Sequence, residues 1–83
     1  MTHDDIRPLS DHELMAINDA VYNGFWRRYR GQIPERQSAE WDRIEQDAER
    51  LIRRFGHHPL VAHQVQDYLD QLEIRCMERG GAG

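Results

Sequence analysis

Two short groups of residues in this chain have types and spacing that could bind a ligand, and the first is the run from Trp26 to Arg30. Arginines interleaved with aromatic rings can bind phosphates and stack on bases. On a helix, however, consecutive residues point in different directions, and cations near a helix C-terminus also complement the helix dipole. Nucleic-acid binding through Arg27, Arg28 and Arg30 is therefore kept as an alternative function.

The second group contains the histidines His57, His58 and His63, whose ring nitrogens are common zinc ligands. Zinc requires three or four ligands directed at one point, and the single cysteine, Cys76, lies too far along the same predicted helix to join them. We predict neither a metal site nor a cofactor. The two histidines beside the turn are expected to face solvent or to cap carbonyl groups of the preceding helix.

Catalytic residues are not expected in this chain. Aspartate, glutamate and histidine are plentiful, but they fall on solvated helix faces that lack the burial needed to shift a pKa for acid–base work. Cys76 falls on the core side of its helix, where a thiol usually acts as a small apolar filler. The sequence contains neither a nucleophile motif nor a glycine-rich phosphate loop, so we predict a protein without enzymatic activity.

The elements that must position these residues are helices. The middle of the chain shows this most clearly, because apolar residues step by three and four through an otherwise charged segment. They are Trp41, Ile44, Ala48, Leu51, Ile52 and Phe55. A helix with a single apolar stripe cannot stay folded alone, so this helix must pack its stripe against other elements.

Capping residues and helix breakers predict where three helices begin and end. Ser10 and Glu13 form a capping box before the first helix, Ser38 is expected to cap the second, and Pro59 suits the first position of the third. The predicted helices span about 11–30, 39–55 and 59–79. Gly31 is expected to end the first helix as a left-handed cap residue, and Gly24 to mark a close helix–helix approach.

Short connections between the predicted helices favour antiparallel neighbours. The predicted fold is all-α: a small three-helix bundle over residues 10–79, with self-association as the alternative if the apolar stripes are shared between chains. Residues 1–9 are expected to form a flexible lead and residues 80–83 a flexible tail.

Composition narrows the function classes. At 83 residues the chain has room for one domain and little room for an enclosed cleft. A formal net charge of −4 argues against non-specific nucleic-acid binding and suits a basic partner. With one cysteine, no secretory signal and no apolar run of membrane length, we predict a cytoplasmic protein without membrane contact.

Apolar residues outside the predicted core define the candidate site. Met15, Tyr22 and Trp26 form a stripe beside the core face of the first helix, and Ile74 and Met77 fall outside the core arc of the third. Tryptophan, tyrosine and methionine are enriched in protein interfaces. The pattern therefore favours a protein contact through these residues.

The predicted function is that of a binding module that occupies a surface on a larger protein. Regulators, accessory subunits and inhibitors, including inhibitors of the phage-encoded type, belong to this class. Arg30, Asp67 and Asp70 are expected to steer the approach of the partner. A structural homodimer remains a second alternative, after the nucleic-acid binder.

Overall fold

The computed structural model describes the backbone of residues 6–81 and the side chains of residues 6–78. In this part of the chain three helices follow one another without a strand. Helix α1 spans residues 11–29, helix α2 spans Glu40–Arg54, and helix α3 spans Pro59–Gly81. The predicted all-α fold is confirmed, and the observed helix limits agree with the predicted ones to within two residues.

Helix α1 is not α-helical throughout. It joins an α-helical piece, Asp11–Asn18, to a π-helical piece, Asp19–Trp26, and ends with Arg27–Tyr29 in α-helical conformation. The pattern that defines a π-helix, an N–H bonded to the carbonyl five residues earlier, is seen where the Arg27 N–H donates to the Tyr22 carbonyl. This register changes which side chains face the core.

The predicted capping box begins α1. The Glu13 N–H donates to Ser10 Oγ at 3.1 Å, and the Ser10 N–H donates to Glu13 Oε1 at 3.2 Å. Arg7 Nη1 donates to Glu13 Oε2 at 2.9 Å, so the same carboxylate also holds the segment before the helix. The bond from Arg7, reinforced by the bond from the Ser10 backbone, holds the pKa of Glu13 below its ordinary value.

The ends of the chain are only partly described, because residues 1–5 and 82–83 lie outside the described residues. Within the expected lead, Leu9 packs against the core and Arg7 pairs with Glu13. Within the expected tail, residues 80 and 81 continue α3, so the helix extends beyond its predicted end.

Three local predictions are wrong. Ser38 does not cap α2, because the helix begins after Ala39 and the buried Ser38 hydroxyl has no hydrogen-bond partner within the described part of the chain. Gly31 is not left-handed, since Gly56 is the only glycine with a positive φ among the residues described. Gly24 marks no close helix–helix approach, because a Cβ added there would meet only the Asp19 carbonyl of its own helix, at 3.8 Å.

The turn between α2 and α3 reverses the chain through a Schellman motif. The Gly56 N–H donates to the Arg53 carbonyl and the His57 N–H to the Ile52 carbonyl, both at 3.0 Å. Gly56 takes a φ of 67°, which costs a glycine little. Gly56 therefore ends α2, as its position in the sequence predicts.

The helices run up, down and up, so that α1 and α3 are parallel and α2 is antiparallel to both. At one end of the bundle the Arg7 carbonyl lies 2.7 Å from His58 Nε2, and at the other end the Cys76 thiol donates to the Pro34 carbonyl at 3.4 Å. The apolar faces meet in one core, formed by Ile17, Val21, Phe25, Trp26, Ile44, Ala48, Val61, Val65 and Leu72.

Candidate functional site

Trp26 does not lie at the surface, and its predicted role as an exposed docking residue is wrong. Only 7% of its area is exposed. Its indole stacks on the Tyr68 ring with centroids 5.2 Å apart, and the Arg75 guanidinium lies 4.7 Å from the indole centroid. Trp26 therefore belongs to the core and joins α1 to α3.

The π-helical register explains why an α-helical period misplaces Trp26. In a π-helix, residues five apart lie on the same side, because the hydrogen bonds join residues at that spacing. Val21 and Trp26 are five residues apart, and both are buried. With α-helical spacing, Trp26 would lie on the shoulder of the helix beside Met15 and Tyr22.

Met15 and Tyr22 remain exposed, but without Trp26 they do not extend into a larger patch. Met15 is 72% exposed and lies about two turns before Tyr22. The Tyr22 ring meets the edge of the Tyr68 ring at a centroid distance of 6.2 Å, so Tyr22 lies along the seam between α1 and α3. The predicted stripe of Met15, Tyr22 and Trp26 therefore does not form one continuous exposed surface.

The predicted residues of α3, in contrast, lie together on one side of the helix. Ile74 is 46% exposed and Met77 is 62% exposed, one turn apart. Asp67 and Asp70 continue the same stripe at steps of three and four residues, which places all of them on one face. With the two exposed glutamates that flank it, this surface is named the α3 face, and it comprises Asp67, Asp70, Glu73, Ile74, Met77 and Glu78.

The carboxylates of the α3 face have no cationic partner among the described side chains. The ion pairs within residues 6–78 use Glu13, Asp47 and Glu49 instead. Arg75, which lies between the carboxylates in sequence, is directed onto the Trp26 ring. The α3 face is consequently an apolar pair surrounded by carboxylates that no described cationic side chain pairs with.

A shallow pocket of about 230 Å³, open to solvent, lies beside the α3 face, and the sequence does not predict it. It lies between α3 and the linker that joins α1 to α2, and we name it the linker pocket. Its lining consists of Arg36, Gln37, Trp41, Glu73, Cys76 and Met77. The helical spacing of Trp41 predicts a core residue, and Trp41 does pack against the core while it also lines this pocket. The one signal for the pocket is the position of Trp41 in the first turn of α2, soon after a linker that contains a proline.

Among the arginines predicted as nucleic-acid contacts, Arg28 is already engaged within the protein. Its Nη1 lies 3.5 Å from Asp47 Oδ2, and Arg50 Nη1 lies 3.5 Å from Asp47 Oδ1. Arg27 and Arg30 are exposed and form no ion pair with another described side chain. Arg28 therefore has a structural role, the ion pair with Asp47, that Arg27 and Arg30 do not share.

An open groove of about 490 Å³ lies between α1 and α2, and the Asp47 cluster borders it. Besides Arg28 and Arg50, the Tyr29 hydroxyl donates a hydrogen bond to the Asp47 carboxylate. The third arginine at the groove, Arg54, has its guanidinium 5.4 Å from the Phe55 ring centroid. Asp47 already pairs with two of the three arginines that line the groove. This cluster therefore fastens α1 to α2 and does not form an open anion site.

His58 is buried, so the expectation that it faces solvent or caps the preceding helix is wrong. Its Nδ1 accepts from the Leu60 N–H at 3.1 Å, which caps the following helix, and its Nε2 lies 2.7 Å from the Arg7 carbonyl. His57 and His63 are exposed. Within the described residues no three histidine, cysteine, aspartate or glutamate side chains are grouped to hold a metal ion.

Comparisons with known proteins found no relative: no protein-family model matches the chain, and neither a curated protein nor a solved structure matches it. No helix in the described part of the chain is both long enough and apolar enough to cross a membrane. The α3 face and the adjoining linker pocket are therefore considered on their geometry alone.

Proposed function

We propose that this chain is a non-enzymatic protein-binding module whose docking surface is the α3 face. The observation that carries the proposal is the exposed pair Ile74 and Met77, surrounded by carboxylates that have no cationic partner among the described side chains. Methionine is over-represented at binding surfaces because its flexible side chain adapts to different partners. Met15 is more exposed than either residue but lies apart from this charged rim.

The charge pattern of α3 is unfavourable for the isolated chain. Asp67 and Asp70 are three residues apart, as are Asp70 and Glu73, and like charges at this spacing destabilise a helix by about 0.2–0.5 kcal/mol per pair. Arg75 could relieve this repulsion but lies over Trp26 instead. A partner that brings positive charge would convert the repulsion into attraction.

The partner chemistry follows from this complementarity. A larger protein with a segment that presents lysine or arginine around an apolar centre matches the α3 face in both charge and polarity. Opposite charges would speed association at low salt, while the contacts of Ile74 and Met77 would govern dissociation. The module would act as a regulator, accessory subunit or inhibitor by covering that segment.

Affinity capture from the native host, followed by mass spectrometry, tests the proposal. The bait proteins are the wild type, an Ile74→Ser/Met77→Ser variant and a Met15→Ser control, which removes a still more exposed methionine from another surface. We expect the wild type and the control to retain one protein that the α3 variant loses. The retained protein is then purified, and its affinity is measured at two salt concentrations.

Two results would contradict the proposal. The first is retention of the same partner by the α3 variant, with an affinity equal to that of the wild type. The second is a purified pair whose affinity does not fall with added salt, since an acidic surface that attracts a basic segment must be screened.

A further inference from the structure

The linker pocket and the α3 face share two residues, Glu73 and Met77, which line the pocket and also belong to the face. The other walls come from the linker, from Trp41 in the first turn of α2 and from Cys76 on α3. A segment lying along the α3 face would therefore cross the mouth of the pocket. This continuity makes the pocket a place where the segment could insert a side chain.

Two hydrogen bonds fix the walls of the linker pocket. The Trp41 indole N–H donates to the Glu35 carbonyl at 3.1 Å, and the Cys76 thiol donates to the Pro34 carbonyl at 3.4 Å. Each bond joins the linker to a helix, so the pocket is formed without a ligand. A preformed pocket binds a side chain with a smaller loss of conformational entropy than a pocket that must first become ordered.

The linker also contains two unfavourable features beside this pocket. Gln37, which lines it, has a φ of 62°, a left-handed conformation that residues other than glycine rarely adopt. The next residue, Ser38, has a buried hydroxyl without a hydrogen-bond partner among the described residues. Neither feature serves to cap α2. Backbone strain and unsatisfied polar groups are concentrated at functional sites, which favours a binding role for this part of the chain.

We propose that the linker pocket is the anchor site of the docking surface and takes one large apolar side chain from a basic amphipathic helix of the partner. This inference rests on the proposed function and adds where the apolar residue of the partner binds. Trp41, Cys76 and Met77 supply apolar and polarisable walls, and about 230 Å³ has room for a single side chain. Interfaces commonly derive most of their affinity from such an anchored residue.

Charges around the pocket orient the partner helix. Glu73 lies at the rim on the α3 side, with Asp70 one turn before it, whereas Arg36 lies at the rim on the linker side. Lysine or arginine next to the anchor residue would be attracted toward α3 and repelled from Arg36. The cations of the bound helix should therefore face α3.

The experiment uses the full chain, labelled with ¹⁵N, and synthetic amphipathic helices of about 18 residues, a length at which an isolated helix can form. The probe is built from leucine and lysine. One control replaces the leucines with alanine, and the other replaces the lysines with glutamate. Because the chain has two tryptophans, two indole N–H signals can be followed in one spectrum, and calorimetry gives the affinity.

We expect the leucine–lysine peptide to shift the indole signal of Trp41 and to leave that of buried Trp26 in place. Replacing leucine with alanine should weaken binding by about tenfold or more, as loss of an anchor residue does. The glutamate peptide should not bind. Met77→Ala, a change at an exposed wall that leaves the core intact, should weaken binding of the leucine–lysine peptide by about tenfold, whereas Met15→Ala should not.

Binding of the leucine–lysine peptide without a shift of the Trp41 indole signal would overturn the anchor site, as would equal affinities for Met77→Ala and Met15→Ala. If Ile74→Asp then abolished that binding, the α3 face would still stand as the docking surface. Failure of the leucine–lysine peptide to bind at low salt would also overturn the anchor site. The proposed function is tested separately, by capture of a partner from the host. Failure of the anchor site can therefore be told apart from failure of the proposed function.

Discussion

The Tyr29 hydroxyl of α1 donates a hydrogen bond to the Asp47 carboxylate of α2, at the point where Arg28 and Arg50 also reach that carboxylate. Partial burial raises the pKa of Tyr29 above its ordinary value, and the bond to Asp47 raises it further. The folded chain therefore holds the phenol proton more tightly than the unfolded chain does.

This difference predicts a loss of stability in alkaline solution. Above about pH 10 the unfolded chain releases the Tyr29 proton while the folded chain retains it, so the free energy of unfolding falls as the pH rises toward the raised pKa. Below about pH 10 the contribution is complete. Urea denaturation at about pH 8 and pH 11 measures the fall. Tyr29→Phe should show a smaller fall, and an equal fall in both proteins would contradict the assignment.

Replacing His58 should destabilise the bundle. His58→Ala leaves the Leu60 N–H and the Arg7 carbonyl without their partner, and we expect the free energy of unfolding to fall by about 2 kcal/mol. His58→Asn should lose less, because asparagine can cap the start of α3. The exposed His63→Ala serves as the control, with a change within about 0.5 kcal/mol. Equal stability of His58→Ala and His63→Ala would show that the cap contributes nothing.

Trp26→Ala should destabilise the fold rather than remove a surface contact. We expect a loss of about 3–5 kcal/mol, because a large buried side chain between α1 and α3 is removed. Arg75→Ala, which removes an exposed side chain whose guanidinium lies over the ring, should cost about 1 kcal/mol or less. Thermal unfolding followed by circular dichroism measures both. A Trp26→Ala protein that unfolds at the wild-type temperature would refute the core assignment.

Gly24→Ala should stabilise the chain by about 0.5–1 kcal/mol, because alanine loses less conformational entropy in a helix and its Cβ meets no atom closer than 3.8 Å. Gly56→Ala is the matched comparison. Its φ of 67° is unfavourable for alanine, so stability should decrease there. Chemical denaturation of both variants measures whether each change raises or lowers the free energy of unfolding. A destabilising Gly24→Ala would mean that the π-helical piece requires glycine.

The parts of the fold that could be predicted from sequence are those set by local interactions. The capping box at Ser10, the Gly56 stop and the apolar stripe of α2 each act within a few residues, and each is found where the sequence places it. The exposure of Ile74 and Met77 also follows from α-helical spacing, because α3 is α-helical along its length.

The errors have a common physical origin in tertiary packing. No residue type marks the start of the π-helical piece, so the sequence gives no reason to rotate Trp26 into the core. His58 is drawn inward by the Arg7 carbonyl, a partner 51 residues away in sequence. The linker pocket depends on the linker folding back against Trp41 and Cys76, and the spacing of residues within one helix says nothing about such a contact.

The bond between the Cys76 thiol and the Pro34 carbonyl gives the chain an intrinsic kinetic reporter. Cys76 is the single cysteine and is buried beneath the linker, so a thiol reagent should react much faster when the linker lifts from α3. The rate of that reaction, compared with the rate for an unfolded peptide, measures the free energy of this local opening without any introduced label. An occupant of the neighbouring pocket should slow the modification, and the degree of slowing would report its affinity.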